Sequence, residues 1–131
     1  MTLIEHNHQA TAPGPDTFGS RSLDGFLPVC DLAALIADRG VAALVDDRAV
    51  AVFLLGNGEL VAIDNVDPIS GAGVLSRGLI GEADGTPTVA SPLYKQRFDL
   101  RTGACLDDAE VSVRVHDARE VAGRVEIRIS P

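Results

Sequence analysis

Asp64-Asn65-Val66-Asp67-Pro68-Ile69, then a Gly-rich segment, then Ser91-Pro92-Leu93-Tyr94-Lys95-Gln96-Arg97-Phe98-Asp99-Leu100-Arg101-Thr102-Gly103-Ala104-Cys105-Leu106 is the stretch whose reading decides the fold. It holds two Pro-containing loops, each at the tip of a hairpin. Proline fixes φ and removes a backbone donor, so both loops are stiff. Gly71, Gly73 and Gly78 punctuate the first, where the backbone bends sharply or packs closely. Gly78 to Gly81 and Thr86 to Ala90 read as short strands joined by the turn Glu82-Ala83-Asp84-Gly85. Arg97 to Leu100 reads as a third strand, and Arg101-Thr102-Gly103 as a tight turn back to Cys105.

Upstream, Phe26 to Cys30 reads as a strand, with Pro28 placing it at a sheet edge. Asp31 to Ala37 reads as the one short helix, N-capped by Asp31 and ended by Gly40. Val41 to Val45, Ala49 to Leu55 and Glu59 to Ile63 form a meander of adjacent strands. Asp46-Asp47-Arg48 and Gly56-Asn57-Gly58 make its turns. Ala49 to Leu55 is apolar throughout and too short for a typical helix, so it reads as a strand buried on both faces. Downstream, Val111, Val113 and Val115 alternate with Ser112, Arg114 and His116; Val125, Ile127 and Ile129 alternate with Glu126, Arg128 and Ser130. Period two predicts a hairpin with one face in the core and one in water, turning near Val121 to Gly123. The class is all-β, built of many short strands, and no internal repeat is evident.

Residues 1–23 form a separate compositional block, interspersed with His6, His8, Pro13, Gly14, Pro15 and Gly19 and poor in apolar groups. It reads as a disordered or partner-dependent arm, followed by one domain over 24–131. His6 and His8 alone make a weak metal site. The 131 residues suffice for one core, and 46% are hydrophobic, but only 4% are aromatic with no Trp. Stacking on bases is therefore a poor function for this chain. A net charge of −8 also disfavours nucleic acid and anionic membrane as partners. Cys30 and Cys105 sit among apolar residues and read as small buried side chains. There is no apolar run of membrane-span length and no secretory signal, so the expected location is cytoplasmic.

Little catalytic chemistry is visible. Ser91 lacks a Gly-x-Ser-x-Gly elbow, and no phosphate loop or dinucleotide fingerprint occurs. His116 falls on the polar positions of its alternating segment and reads as a solvated histidine, while Asp107-Asp108 reads as a turn. No catalytic residue and no metal site are assigned.

From about Phe26 to Ile129 the chain resembles a Rieske-type domain, on Ala62-Ile63-Asp64-Asn65, the Pro68 loop with its Gly-rich tail, and Pro92 with Phe98 to Gly103. The resemblance implies an antiparallel β-sandwich with two Pro-containing loops. Rieske domains hold a two-iron, two-sulfur cluster with a Cys-x-His pair on one loop and a Cys-x-x-His pair on the other. Matched by loop pattern, the first pair falls on Asp67 and Ile69 and the second on Ser91 and Tyr94. The spacings within each loop survive, but all four ligands are gone. A soft iron–sulfur core needs thiolates, so these are vestigial ligand positions and no cluster is expected. Asp67 and Ser91 are placed to hydrogen-bond across the gap, and Tyr94 to pack where a ligand ring would lie.

A narrower likeness rests on Asp67-Pro68-Ile69-Ser70-Gly71-Ala72, Val74 to Gly78, Ser91-Pro92-Leu93, Lys95 to Phe98 and Cys105 to Asp108. These resemble the small subunit of bacterial NAD(P)H-dependent assimilatory nitrite reductase, which converts nitrite to ammonia. The resemblance implies a non-catalytic subunit with no cofactor of its own. Its partner would be a large subunit bearing sirohaem, an iron–sulfur cluster, FAD and the NAD(P)H site. Arg77, Lys95, Arg97 and Arg101 concentrate positive charge around the loops and are the partner-docking candidates. The alternative is a stand-alone, cluster-free Rieske-fold binding module.

Overall fold

The computed structural model describes residues 3–5 and 21–131. Among the described residues ten strands form two sheets: β1 Leu3–Glu5, β2 Leu27–Asp31, β3 Gly40–Val45, β4 Arg48–Leu54, β5 Leu60–Asp64, β6 Leu79–Ala83, β7 Thr86–Ala90, β8 Arg97–Asp99, β9 Val115–Val121 and β10 Arg124–Arg128. The large sheet has the order β1-β3-β4-β5-β9-β10-β2, and the small one β6-β7-β8. All pairings are antiparallel except that of β1 with β3. β2 lies at an edge, as Pro28 predicts.

Two cores follow from the alternation along β4 and β5. Val50, Val52 and Ala62 point into a cluster with Leu27, Val29 and Cys30 of β2 and Val125 and Ile127 of β10. Ala51, Phe53, Val61 and Ile63 point the other way, against Leu75, Val89 and Phe98. The second core holds the small sheet and its loops on the large sheet. β4 is thus buried on both faces, as its unbroken apolar run predicts. The hairpin turns also fall where expected. Asp46 and Asp47 both take positive φ (51° and 63°), the pairing that a two-residue turn needs to match strand twist.

Three expectations are corrected. The helix over Asp31 to Ala37 is only a 3₁₀ turn at Leu32–Ala34, and Asp31 makes no side-chain cap bond. Gly40 opens β3 rather than closing a helix. The C-terminal hairpin is shifted along the chain: Val111 to Arg114 is irregular apart from a bridge of Ser112 to Ala104. Ile127 pairs with Ala118, and Val125 with Glu120. Of the arm expected over 1–23, residues 1–2 and 6–20, including His6 and His8, lie outside the described residues. The backbone of Leu3–Glu5 adds to the large sheet, and the Ser22 hydroxyl lies 3.1 Å from both the N–H and the carbonyl of Phe26.

Candidate functional site

The first loop leaves β5 and is organised by Asn65 and Asp67. Asn65 is buried; its Oδ1 accepts the Ser76 N–H at 2.8 Å and its Nδ2 donates to the Gly73 carbonyl at 3.1 Å, closing the base of the loop. Asp67 is fully buried. Its Oδ1 accepts the N–H of Ile69 at 2.8 Å and, more weakly, that of Ser70 at 3.4 Å. Gly71 N–H returns to the Asp67 carbonyl at 2.7 Å, with Gly71 at positive φ.

The second loop, between β7 and β8, repeats the scheme with Ser91 in the place of Asp67. Ser91 Oγ lies 3.4 Å from the Leu93 N–H, the Lys95 N–H donates to the Ser91 carbonyl at 3.0 Å, and the Ser91 N–H to the Gln96 carbonyl at 2.8 Å. Where the first loop uses Gly71, the second places Lys95 at φ 67°, a conformation that an L side chain resists. The two loops are joined where their leading residues meet. Ser91 Oγ donates to Asp67 Oδ2 at 2.6 Å, with both residues fully buried. This is the contact expected between these positions. Burial pushes the Asp67 carboxyl up, but the Ser91 hydroxyl and the N–H groups of Ile69 and Ser70 outweigh it and hold the group below the usual carboxylate range.

The other expected site residues divide. Ile69 is 37% exposed and Tyr94 60%, so Tyr94 does not fill the gap between the loops; it projects from the second loop together with Leu93 at 49%. Arg97 is engaged by Asp107 at 3.0 Å, and Arg101 by Glu59 at 2.9 Å. Among the described residues Arg77 and Lys95 have no ion pair. The structure therefore splits the basic quartet into two internally satisfied arginines and two available cations.

His116 overturns its expected place in water. Its side chain is inaccessible, and its Nε2 lies 2.7 Å from Asp64 Oδ1. The Ser130 N–H donates to Nδ1 at 3.1 Å, which makes Nδ1 the acceptor and puts the ring hydrogen on Nε2, facing Asp64. Arg48 takes the same carboxylate at 2.8 and 3.2 Å. Burial pushes Asp64 up, but Arg48 and His116 together hold it below its ordinary value. This network ties the ends of β4, β5 and β9 to the C-terminal segment; the Ser130 hydroxyl also lies 3.4 Å from Nδ1, but it donates to the Val115 carbonyl at 2.8 Å.

The chain matches the Rieske-like [2Fe-2S] domain family over residues 25–128. It is 44% identical over 101 residues to the nitrite reductase (NADH) small subunit of Escherichia coli K12, a match covering 76% of this chain and 94% of that one. The chain belongs to the nitrite reductase small-subunit family of Rieske-like domains. The NMR structure of the E. coli protein NirD superposes with a TM-score of 0.75 at 40% identity, covering 81% of this chain and 97% of that one. The nitrite reductase [NAD(P)H] large subunit of Klebsiella oxytoca is also 44% identical over 97 residues, which is 74% of this chain and 10% of that protein.

Membership in a family of [2Fe–2S] domains raises the question of whether these residues fit a cluster. They do not. Ile69 has no donor atom, and the carboxylate of Asp67 is committed to Ser91 and two backbone N–H groups. The thiols lie elsewhere: Cys30 is buried in the first core and Cys105 in the second. Burial, with Asp31 adding, pushes the Cys30 thiol up to about 11, away from the thiolate that iron requires. Among the described residues no set of three or more His, Cys, Asp or Glu is grouped to hold a metal ion, and no helix is long and apolar enough to cross a membrane.

Sequence reasoning missed Asn65, the His116 network and the pairing of Arg97 and Arg101. One signal was available for the loops. Asp67-Pro68-Ile69-Ser70-Gly71-Ala72 recurs as Asp99-Leu100-Arg101-Thr102-Gly103-Ala104, an Asp-x-x-Ser/Thr-Gly-Ala repeat that marks two copies of one turn.

Proposed function

We propose that this protein is the non-catalytic small subunit of a cytoplasmic NAD(P)H-dependent nitrite reductase of nitrate assimilation. It docks on a large subunit that carries sirohaem, an iron–sulfur cluster, FAD and the NAD(P)H site. The observation that carries the reading is the K. oxytoca large subunit, in which a domain like this one is part of the same polypeptide. Two domains joined in one protein and separate in another are domains that work side by side. The loop geometry supports the same reading. A buried Ser91–Asp67 hydrogen bond braces the loops without metal and leaves Ile69, Leu93, Tyr94 and Lys95 outward, as a docking tip requires.

Co-expression with a tagged large subunit tests this: the small subunit should co-purify, and alone it should be colourless. Reversal of Arg77 and Lys95 to Glu should weaken association more than reversal of Arg128, which is held by Asp117 at 2.8 Å. Equal effects would reject the loop end as the docking face.

Asp67, Ile69, Ser91 and Tyr94 are, in this reading, the positions of lost ligands. The variant Asp67→Cys, Ile69→His, Ser91→Cys, Tyr94→His, reconstituted anaerobically with iron and sulfide, should gain the visible absorbance of a Rieske centre. A folded but colourless product would overturn the assignment.

A further inference from the structure

Where β3 begins, a cavity of about 500 Å³ lies between Arg39 and Gly40 on one wall and Arg77, Gly78 and Leu79 on the other. Two glycines set its shape. A Cβ at Gly40 would fall 2.3 Å from the Ser76 carbonyl oxygen and 2.6 Å from the Phe53 ring, and one at Gly78 would fall 2.4 Å from the Ala90 carbonyl oxygen. Only glycine permits these approaches, so β3 and the 3₁₀ turn Leu75–Arg77 are pressed together. The residues beside the glycines, Arg39 and Arg77, consequently line one space.

Their charge is not matched from within. Arg21, Arg48, Arg97, Arg101, Arg119 and Arg128 each hold a carboxylate. Among the described residues Arg39 and Arg77 hold none, in a chain of net charge −8. Asp38 also lines the cleft; its Oδ1 accepts the Gly56 N–H at 3.0 Å, and it pairs with neither arginine. Two unpaired guanidinium groups sharing a cavity repel each other and are complementary to an acidic ligand. The same cavity carries Leu79, which is 76% exposed. Leu79 stands on β6, an edge strand of the small sheet; among the described residues no further strand pairs beyond it.

We propose that this cleft seats an acidic segment of the large subunit, with its carboxylates on Arg39 and Arg77 and an apolar side chain against Leu79. The proposal rests on the large subunit being the partner. A protein fits better than a free anion. Both arginines are exposed, where an isolated ion pair in water gains little. A protein segment would also bury Leu79 and dry the ion pairs at once. Leu79 pairs with Ala90, so this cleft adjoins the root of the second loop and extends the docking face from the loop tips.

The test measures binding of purified large subunit to the wild-type chain, Arg39→Glu/Arg77→Glu, Leu79→Ser and Arg114→Glu by interferometry at low and high salt. The double reversal should weaken binding by about tenfold or more and abolish its salt dependence; Leu79→Ser should weaken it several-fold, and Arg114→Glu by less than about twofold. Circular dichroism and thermal midpoints confirm folding, and Arg39→Gln/Arg77→Gln, which removes charge without reversing it, should fall between wild type and the reversal. A wild-type chain that does not bind at all overturns the subunit assignment and the cleft with it. Tight wild-type binding that the double reversal leaves unchanged overturns the cleft alone. Saturable binding of inorganic phosphate, read from the Gly40 and Gly78 amide resonances, together with unchanged large-subunit affinity of the double reversal, would make the occupant a small anion.

Discussion

Residues 67–72 and 99–104 build the same turn and put it to different uses. In each, the leading aspartate accepts two N–H groups on Oδ1: from Ile69 and Ser70 in one, from Arg101 and Thr102 in the other. In each, the glycine N–H returns to the aspartate carbonyl at 2.7 Å, and the alanine N–H donates to a Ser or Thr hydroxyl at 3.2 Å. Asp67 is fully buried and meets Ser91 with its other oxygen; Asp99 is only half-buried and makes no such contact. Gly71 has open space around it, while a Cβ at Gly103 would lie 1.9 Å from the Val113 carbonyl oxygen. One turn is a hinge post for a second loop; the other is wedged against the chain that follows it. The hydrogen bonds inside a turn are therefore local chemistry, and its role is set by what packs on it.

The largest test of this contrast is glycine replacement. Gly103→Ala meets both positive φ and a backbone collision, and should destabilise by more than about 3 kcal/mol in urea denaturation. Gly71→Ala meets only the φ penalty, about 1 kcal/mol. Similar losses would mean that the two turns are equivalent after all.

Next is the outside hydroxyl, that of Ser91, which only Asp67 meets. Ser91→Ala leaves Asp67 Oδ2 buried without a donor and should cost about 2 kcal/mol. Asp99→Ala, in the more open turn, should cost about 1 kcal/mol. A smaller loss for Ser91→Ala than for Asp99→Ala would show that the loop-to-loop bond does not brace the pair.

Acid sharpens the same point. Asp67 is held below its ordinary value, so its ionisation contributes stability above the unfolded-chain value of about 3.9, and that stability is lost as pH falls through the lower folded value. Ser91→Ala removes the largest of the lowering effects. The gap in stability between wild type and Ser91→Ala should narrow as pH drops below about 3.9 and through the lower folded value, below which Asp67 is protonated in both. A gap that stays constant down to acid unfolding would assign the cost to packing instead.

The smallest effect concerns the third copy of the turn. Lys95 takes the positive φ that Gly71 and Gly103 supply elsewhere. Lys95→Gly relieves that strain but loosens the unfolded chain, so stability should rise by a few tenths of a kcal/mol, up to about 1. If Lys95 is kept for docking, the same change should weaken large-subunit binding while the protein grows more stable.

Much of this architecture was legible in the residues. The meander from Val41 to Ile63, the double burial of Ala49 to Leu55, the edge position at Pro28 and the two stiff loops all follow from period, length and turn chemistry. The contact of Asp67 with Ser91 came from matching loop patterns. His116 was misread for a physical reason. Alternation assigned it to water, but β9 begins at Val115 and pairs His116 with Ala62, beside Asp64 and Arg48. A polar side chain with partners can be buried, and pattern alone does not see partners. Arg97 and Arg101 were misweighted in the same way: carboxylates at Asp107 and Glu59 satisfy them.

What the chain by itself determined is local: which turns form, which strands alternate, and that Asp67, Ile69, Ser91 and Tyr94 lack the thiolates and imidazoles that a cluster needs. Those properties depend on atoms within a few residues, or on the identity of a side chain, and neither requires the fold. Only the tertiary structure decided that His116 finds Asp64 across 52 residues and that Arg39 and Arg77 share one cleft. Each of those contacts joins segments far apart in the chain, and it is the packing of the two cores, with glycine at the closest approaches, that brings them together.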